Sequence, residues 1–495
     1  MSRKGGREFC LIGVLMLAMN AERNSDRENR PHPKAMWLAM WLIIFGGLTF
    51  AVLKYWFNDN LEPVDNNNVS LVEITSSFGP LPVFAKPVLE NETDFAPEIN
   101  ADKVDFEKLM EPHRQIEDPD GRALAFFNRS LKELALGKRK EPVRIIHYGD
   151  SILTTDQLSG RIRYVLQKNF GDAGHGFVLM GQPWRWYSHL DVIHGAKGKW
   201  RPRPFTSDPL ADGLYGLGGV AFQAKRGSRG RAWAGTSDEG EIGRIVENFD
   251  LSYLEQPGGG SFELTCNDKK VETISTKADV KRVVHKQIKV SRGAGKIEVK
   301  YNNDGRLRLF GVTLESGIPG IVYDSLAING ARAAALDRFD TKHWISELKH
   351  RNPALVIIMF GANEGANRFL ALKEYKVHLT QILQTLKAGL PQTSIMIIGP
   401  LDQAKRNPDK TFASKRMPIR LSKVQRKVAL ENNCAFFDTW TAMGGKGSMG
   451  NWFRRGLGGG DMIHPTKHGA GKIGNWVAEA LLYEYQRYLH NLSLE

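Results

Sequence analysis

Apolar and polar positions change their spacing several times along the chain, and each change predicts a different element. Residues Ala35 to Leu53 (AMWLAMWLIIFGGLTFAVL) run nineteen positions without a charge. At helical rise this spans roughly 28 Å, close to the hydrocarbon thickness of a bilayer. Trp37, Trp41, Tyr55 and Trp56 place amphipathic rings near its two ends, where interfacial belts sit. A transmembrane helix over 35–56 is therefore predicted. A buried core helix of this length and purity is the weaker alternative. A cleaved signal peptide is disfavoured because the apolar run is long and no clean A-x-A site follows. A second apolar run, Phe9–Met19, is too short to span, and Met19 stands beside Met1 as an alternative start of a short basic tail.

Residues 57–120 hold several prolines and little periodicity, which predicts an extended, solvated spacer. A helical stripe follows from Gly121, with Leu124, Phe127, Leu131, Leu134 and Leu136 on one face. Then strands and helices alternate. VRIIHYGD (143–150), ALVIIMFG (354–361), SIMIIGP (394–400) and AFFDTW (435–440) are short Val/Ile/Phe-rich runs. Helical segments follow at 158–170, Tyr375–Leu390, Leu421–Asn432 and from His468. Continuous apolar strands separated by helices predict an α/β domain with a parallel sheet covered on both faces. Between 182 and 320 the rhythm becomes period-two, as in SFELTC (261–266), GKIEVKYN (295–302) and RLRLFGVTLE (306–315), within Gly-rich sequence. That stretch predicts an antiparallel, β-sandwich-like insertion. The expected organisation is thus a basic tail (1–34), an anchor (35–56), an acidic spacer (57–120), an α/β domain in two pieces (121–181 and 321–495) and the insertion (182–320).

Composition sharpens this outline. Apolar residues at 42% and charged residues at 25% exclude wholesale disorder. Cys10, Cys266 and Cys434 cannot form a disulfide scaffold or a CxxC zinc knuckle, and whether Cys266 and Cys434 pair stays open. The formal charge of +14 admits nucleic acid, an anionic membrane or an anionic glycan as partner. Its distribution narrows the choice. Residues 1–34 carry seven Lys/Arg, whereas only Lys54 and Lys86 occur between there and residue 100. The positive-inside rule then places the N-terminus in the cytoplasm and all residues after 56 outside it. The spacer segment 55–120 has fifteen acidic and four basic residues, which leaves +21 on residues 121–495. A basic body with an external address favours an anionic envelope polymer and disfavours nucleic acid.

Three short signals carry chemistry, and open α/β sheets place their sites at such strand ends. Gly149-Asp150-Ser151 follows the strand VRIIHY and exposes a serine at a sharp strand-to-helix turn. Phe360-Gly361-Ala362-Asn363 follows ALVIIM, and an Asn carboxamide there can donate to a developing oxyanion. In Asp461-Met462-Ile463-His464-Pro465 a carboxylate three residues before a histidine can fix its tautomer and leave the other ring nitrogen as a base. Each has a plainer alternative: a chance tripeptide, a turn asparagine, an N-capping aspartate. His464 and His468, four apart, also admit a metal, but no HExxH motif or further close ligand supports one.

The order Ser…Asn…Asp-x-x-His, with these contexts, resembles the SGNH (GDSL-type) hydrolase family over about 121–181 and 321–495. The strings LAFFNRSLKELALGKRKEPVRIIHYGDS, DQLSGRIRYVLQKNFGDAGHGF and IVYDSLAINGARA are most similar to bacterial peptidoglycan O-acetylesterases of that family, which carry a carbohydrate-binding-module-like β-domain where the insertion lies. The resemblance implies a flavodoxin-like three-layer α/β/α fold and a serine esterase needing no metal or organic cofactor. It implies Ser151 as nucleophile, Asp461 and His464 as its partners, and an oxyanion hole from the Ser151 and Gly330 N–H groups and Asn363. Gly219 is a weaker candidate for the oxyanion glycine. One departure is Ile152, where relatives often have histidine, and it bears on the substrate more than on the chemistry.

The expected activity is removal of O-acetyl groups from a cell-envelope glycan. The enzyme would sit in the cytoplasmic membrane by a single pass through the lipid bilayer, with its catalytic domain periplasmic or otherwise extracytoplasmic. O-acetyl transfer to a polysaccharide is the alternative within the same chemistry, and a non-catalytic glycan-binding envelope protein is the alternative outside it. Trp184, Trp186, Trp200 and Trp233 interleave with KGKWRPRP (197–204) and KRGSRGR (225–231), so aromatic faces with basic neighbours are candidate glycan contacts. Ordinary core tryptophans beside solvated charge explain them equally well.

Overall fold

The structure, a computed structural model, describes residues 114–494 apart from Arg226. The tail, the anchor and most of the spacer lie outside the described residues. Among the described residues no helix is long and apolar enough to cross a membrane.

The central sheet has six strands: β1 (Ile116–Glu117), β2 (Val143–Gly149), β3 (Ile321–Ala327), β4 (Leu355–Met359), β5 (Ser394–Ile398) and β6 (Ala435–Phe437). Their order is β1-β6-β5-β4-β2-β3, and all neighbours are parallel except the edge pair β1–β6. The composition of 57–120 reads as spacer, yet Ile116 and Glu117 pair with Phe437 and Phe436. Asp118 is buried, where it accepts the N–H groups of Ala123 and Leu124. Two acidic residues among apolar edges are invisible to a composition count.

Strand alternation divides each apolar run between two cores. On β2 and β4, Val143, Ile145, Leu355 and Ile357 face a layer built from α1 (Ala125–Ala135), α2 (Gln157–Phe170) and α6 (Lys467–Leu494). Ile146, Tyr148, Val356 and Ile358 face α3 (Thr341–Arg351), α4 (Leu372–Gly389) and α5 (Met417–Glu431). On α1 the stripe Phe127, Leu131 and Leu134 is buried, but Leu136 is exposed because the helix ends at Ala135. The strand order reverses between β2 and β4, the flavodoxin-type switch, so the crevice for chemistry opens beyond their C-terminal ends.

Residues 176–178 and 192–315 form two antiparallel sheets, of five and six strands. Phe249, Leu251, Val312 and Leu314 of one face Ala234, Phe262, Leu264 and Val299 of the other across a shared apolar core. Gly176–Val178, which the sequence pattern assigns to the α/β domain, pairs with Thr313 and its neighbours and so starts one of these sheets. Cys266 lies in this core and Cys434 in the α/β core, and both are free thiols. At the joint, Arg351 of α3 binds Asp324 of β3 at 2.9 Å and Glu315 at 2.8 Å, and Arg144 of β2 also reaches Glu315.

Candidate active site

β2 ends on Gly149, where a side chain would collide with Leu153 and the Met359 carbonyl. The Gly149 carbonyl accepts the Ile328 N–H at 2.9 Å, which fixes the turn after β3 beside it. Asp150 then caps a single 3-10 turn, Ser151–Leu153, by accepting the Ile152 N–H. Its second oxygen accepts the N–H groups of Gly361 (3.1 Å) and Ala362 (2.9 Å), so one buried carboxylate ties the serine turn to the loop after β4. Burial pushes the Asp150 carboxyl up, against the pull of these bonds.

Ser151 Oγ lies 2.7 Å from His464 Nε2, and His464 Nδ1 lies 2.5 Å from Asp461 Oδ2. Asp461 Oδ1 accepts the N–H groups of Ile463 and His464, both at 3.0 Å, and Met462 turns with φ +60°. The Asp-x-x-His spacing is thus a self-capped turn that holds the imidazole against Asp461 and turns its Nε2 to the serine. Partial burial pushes the Asp461 carboxyl up, but the bonds from His464 and from the two backbone N–H groups outweigh it and hold the group below its ordinary range. Ser151 and His464 are half-buried, open to a substrate from one side.

Asn363 lies in the first turn of the short helix Ala362–Ala366 and donates from Nδ2 to the Ala331 carbonyl at 2.8 Å. That bond holds it against the turn containing Gly330, whose φ of +73° favours glycine. Gly330 is exposed, and its N–H meets no protein acceptor among the described residues. Gly219 is instead packed against Phe205 and Ile328. The structure therefore brings together Ser151, Asp461 and His464, and it joins Asn363 to the Gly330 turn. A narrow crevice beside the serine is lined by Asp150, Ile152, Ala362, Leu401 and Ile463.

Residues 292–472 match the family described as GDSL-like Lipase/Acylhydrolase. Within that range the chain carries a GDSL-like acylhydrolase domain. It is an enzyme of the ester-cleaving class. The matched range contains Gly330, Asn363, Asp461 and His464, while Ser151 precedes it. Among solved structures, one described as a peptidoglycan O-acetylesterase in action is similar with a TM-score of 0.62 at 23% identity, covering 74% of this chain and 98% of that one. An acetyl xylan esterase (14% identity, TM-score 0.26, 33% of this chain and 81% of that one) and a family two carbohydrate esterase from Clostridium thermocellum (10%, 0.23, 57% and 98%) are far more distant. No curated protein matches the chain.

Two groups in the acylhydrolase site escape a motif search. Asp150 belongs to the Gly-Asp-Ser block, but its role depends on backbone more than two hundred residues away. Glu364 follows Asn363, is fully buried, and accepts the Ala333 N–H at 2.8 Å, bracing the Gly330 turn from below. Burial pushes its carboxyl up to about 8. The folded state then holds this proton more tightly than the unfolded chain does. Its contribution to stability is complete below the unfolded pKa, near 4.3, and is lost as pH rises toward about 8. Glu364→Gln is expected to flatten the fall of the thermal midpoint across that window, and an unchanged pH profile would refute the assignment.

Near the acylhydrolase site, Asp156, His175 and His189 bring possible metal-ligand atoms together. The Asp156 carboxylate is already saturated. It accepts Ser159 Oγ (2.7 Å), both terminal nitrogens of Arg163 (2.8 and 3.3 Å) and the Leu190 N–H (3.1 Å). No lone pair remains for a cation, and Arg163 repels one. His468 is exposed and joins no such cluster with His464 among the described residues. Of the tryptophans, Trp186 is exposed and Trp184 leans on Tyr187. Trp200 donates to the carbonyls of Lys197 and Arg231, and Trp233 covers Gly195 on the other sheet.

Proposed function

We propose that this acylhydrolase removes O-acetyl groups from a cell-envelope glycan, with peptidoglycan as substrate. The observation that carries the proposal is the Ser151–His464–Asp461 relay at the switch point of the sheet. Ser151 Oγ attacks the acetyl carbonyl carbon while His464 Nε2 takes the hydroxyl proton. The oxyanion is held by the N–H groups of Ser151 and Gly330 and by the Asn363 amide. The carbon–oxygen bond to the sugar breaks, and His464 returns its proton to the leaving hydroxyl. Water then attacks the acetyl-serine, His464 takes its proton and passes it to Ser151, and acetate departs. Asp461 keeps the histidine tautomer and stabilises its cation.

The shared chain path with a peptidoglycan O-acetylesterase favours a glycan ester over a lipid. Residues 35–56 would anchor the protein in the cytoplasmic membrane and present the +21 body to an anionic envelope polymer. Product partition on O-acetylated peptidoglycan tests this function. Free acetate is the expected product. Acetylated acceptor glycan would mean transfer, and acetate released only from exopolysaccharide would mean a different substrate.

A further inference from the structure

Imidazole and carboxylate groups from three elements meet where the end of α3 rests on the outer face of an antiparallel sheet. Asp250 lies on the strand Val246–Glu255 and His285 on its neighbour Arg282–Gly293. Gln287 stands opposite Asp250 in the register, so His285, two residues earlier, shares the face to which Asp250 points. The flanking residues Phe249, Leu251 and Ile288 point instead into the sandwich core. From α3, His343, Glu347 and His350 recur at i, i+4 and i+7, which sets one stripe of the helix against this sheet face. No local motif joins these residues, since a hundred positions separate Asp250 from His350.

One ligand atom from each of Asp250, His285 and His350 lies within 4.8 Å of the other two. Donors around a tetrahedral zinc ion, at about 2.0–2.1 Å from it, stand roughly 3.3 Å apart. Small side-chain movements close that gap. His350 Nε2 is 2.5 Å from Asp250 Oδ2, whereas Asp250 Oδ1 is buried and meets no donor among the described residues. A buried carboxylate oxygen without a partner carries a desolvation cost that a bound cation removes. Glu347, also buried, bonds His285 Nε2 at 3.0 Å, and a carboxylate so placed commonly fixes a metal-bound imidazole. The His285 and His350 rings stack at 3.7 Å and 17°, so sharing one ion requires them to tilt, and His350 has room to do so on the exposed last turn of α3.

Charge points the same way. Asp250, Glu315, Asp324 and Glu347 gather here with the guanidiniums of Arg144 and Arg351, so with neutral histidines four carboxylates exceed two cations by two charges. A divalent ion balances that excess. The group borders a cleft of about 150 Å³ that opens to solvent and gives a hydrated ion a way in. Calcium and magnesium prefer all-oxygen shells, so two imidazoles select a transition metal.

We propose that Asp250, His285 and His350 hold a divalent ion of the zinc class, which staples α3 to the antiparallel sheet beneath it. The ion takes the place of the proton between His350 Nε2 and Asp250 Oδ2, and the neutral imidazole carries that proton on Nδ1. The role is structural, because α3 ends just before β4 begins, at the end of the central sheet opposite Ser151. The proposal concerns metal binding and does not depend on acetyl hydrolysis.

The test is a calorimetric titration of the full chain, first stripped with EDTA, with zinc chloride and in parallel with calcium and magnesium chloride. A saturable zinc site is expected, and zinc should raise the thermal midpoint. Asp250→Asn and His350→Ala should each weaken zinc binding by about 10- to 100-fold and shrink the thermal shift. Without zinc, both variants should hydrolyse a small acetate ester within about twofold of the parent, since a strand's length, roughly 20 Å, separates the cluster from Ser151. That rate also shows that the variants fold. Absent zinc binding, equal binding by both variants, or tighter binding of calcium or magnesium would each overturn the proposal.

Discussion

Replacing His464 with alanine is expected to lower hydrolysis of an acetate ester by about 10⁴- to 10⁶-fold, and adding Ser151→Ala to that variant is expected to produce almost no further loss. The reason is that the two side chains act as one unit through the 2.7 Å contact between Oγ and Nε2. Without the base, the serine hydroxyl is a poor nucleophile at neutral pH; without the serine, the base has nothing to activate. What would survive is the proposed oxyanion hole around Gly330 and Asn363, which neither substitution touches. Independent contributions would instead multiply. Single-turnover rates of the two single variants and the double variant separate these outcomes, and a double variant slower than either single by another factor of a thousand would remove the relay from the account.

Arg163→Met is expected to destabilise the fold by about 3–5 kcal/mol, the cost of leaving a buried charge without its partner. Arg163 and Asp156 are both about 1% exposed and joined at 2.8 Å. Burial pushes the Asp156 carboxyl up, but Arg163 and the hydrogen bonds outweigh this and hold it below its ordinary value. The pair therefore stabilises the fold above the unfolded carboxyl pKa, near 3.9, and this contribution fades as pH falls through the lower folded value. Arg163→Met with Asp156→Asn removes the stranded charge, keeps an acceptor for the Leu190 N–H and should recover much of the loss. Urea unfolding of the two variants gives the comparison; a loss below about 1 kcal/mol for Arg163→Met would contradict the buried-pair argument. Asp156 begins α2 only five residues after Ser151, so the same pair also steadies the loop that carries the nucleophile.

The parts of this molecule that could be read from its sequence are those whose signal is local. β2, β4 and β5 announce themselves as short apolar runs because both faces of the sheet are covered. Ser151, Asn363, Asp461 and His464 stand out because each chemistry needs a fixed residue at a strand end or a fixed spacing to a neighbour. Features made by distant residues were not legible. Gly176–Val178 joins the sandwich only by pairing with strand residues more than 130 positions later. Ile116–Glu117 becomes an edge strand only because β6 offers one. Asp150 reads as part of a motif, and nothing local shows that its carboxylate gathers the amides of Gly361 and Ala362.

In the proposed reaction Ser151 Oγ carries the acetyl group between the glycan and water. Rapid acid quenching of the full chain during turnover on O-acetylated peptidoglycan, followed by peptide mass spectrometry, addresses it most directly. An acetyl group is expected on the peptide containing Ser151, absent from the Ser151→Ala protein, which is also expected to release no acetate. Steady acetate release with no acetylated Ser151, and the same release from Ser151→Ala, would contradict it.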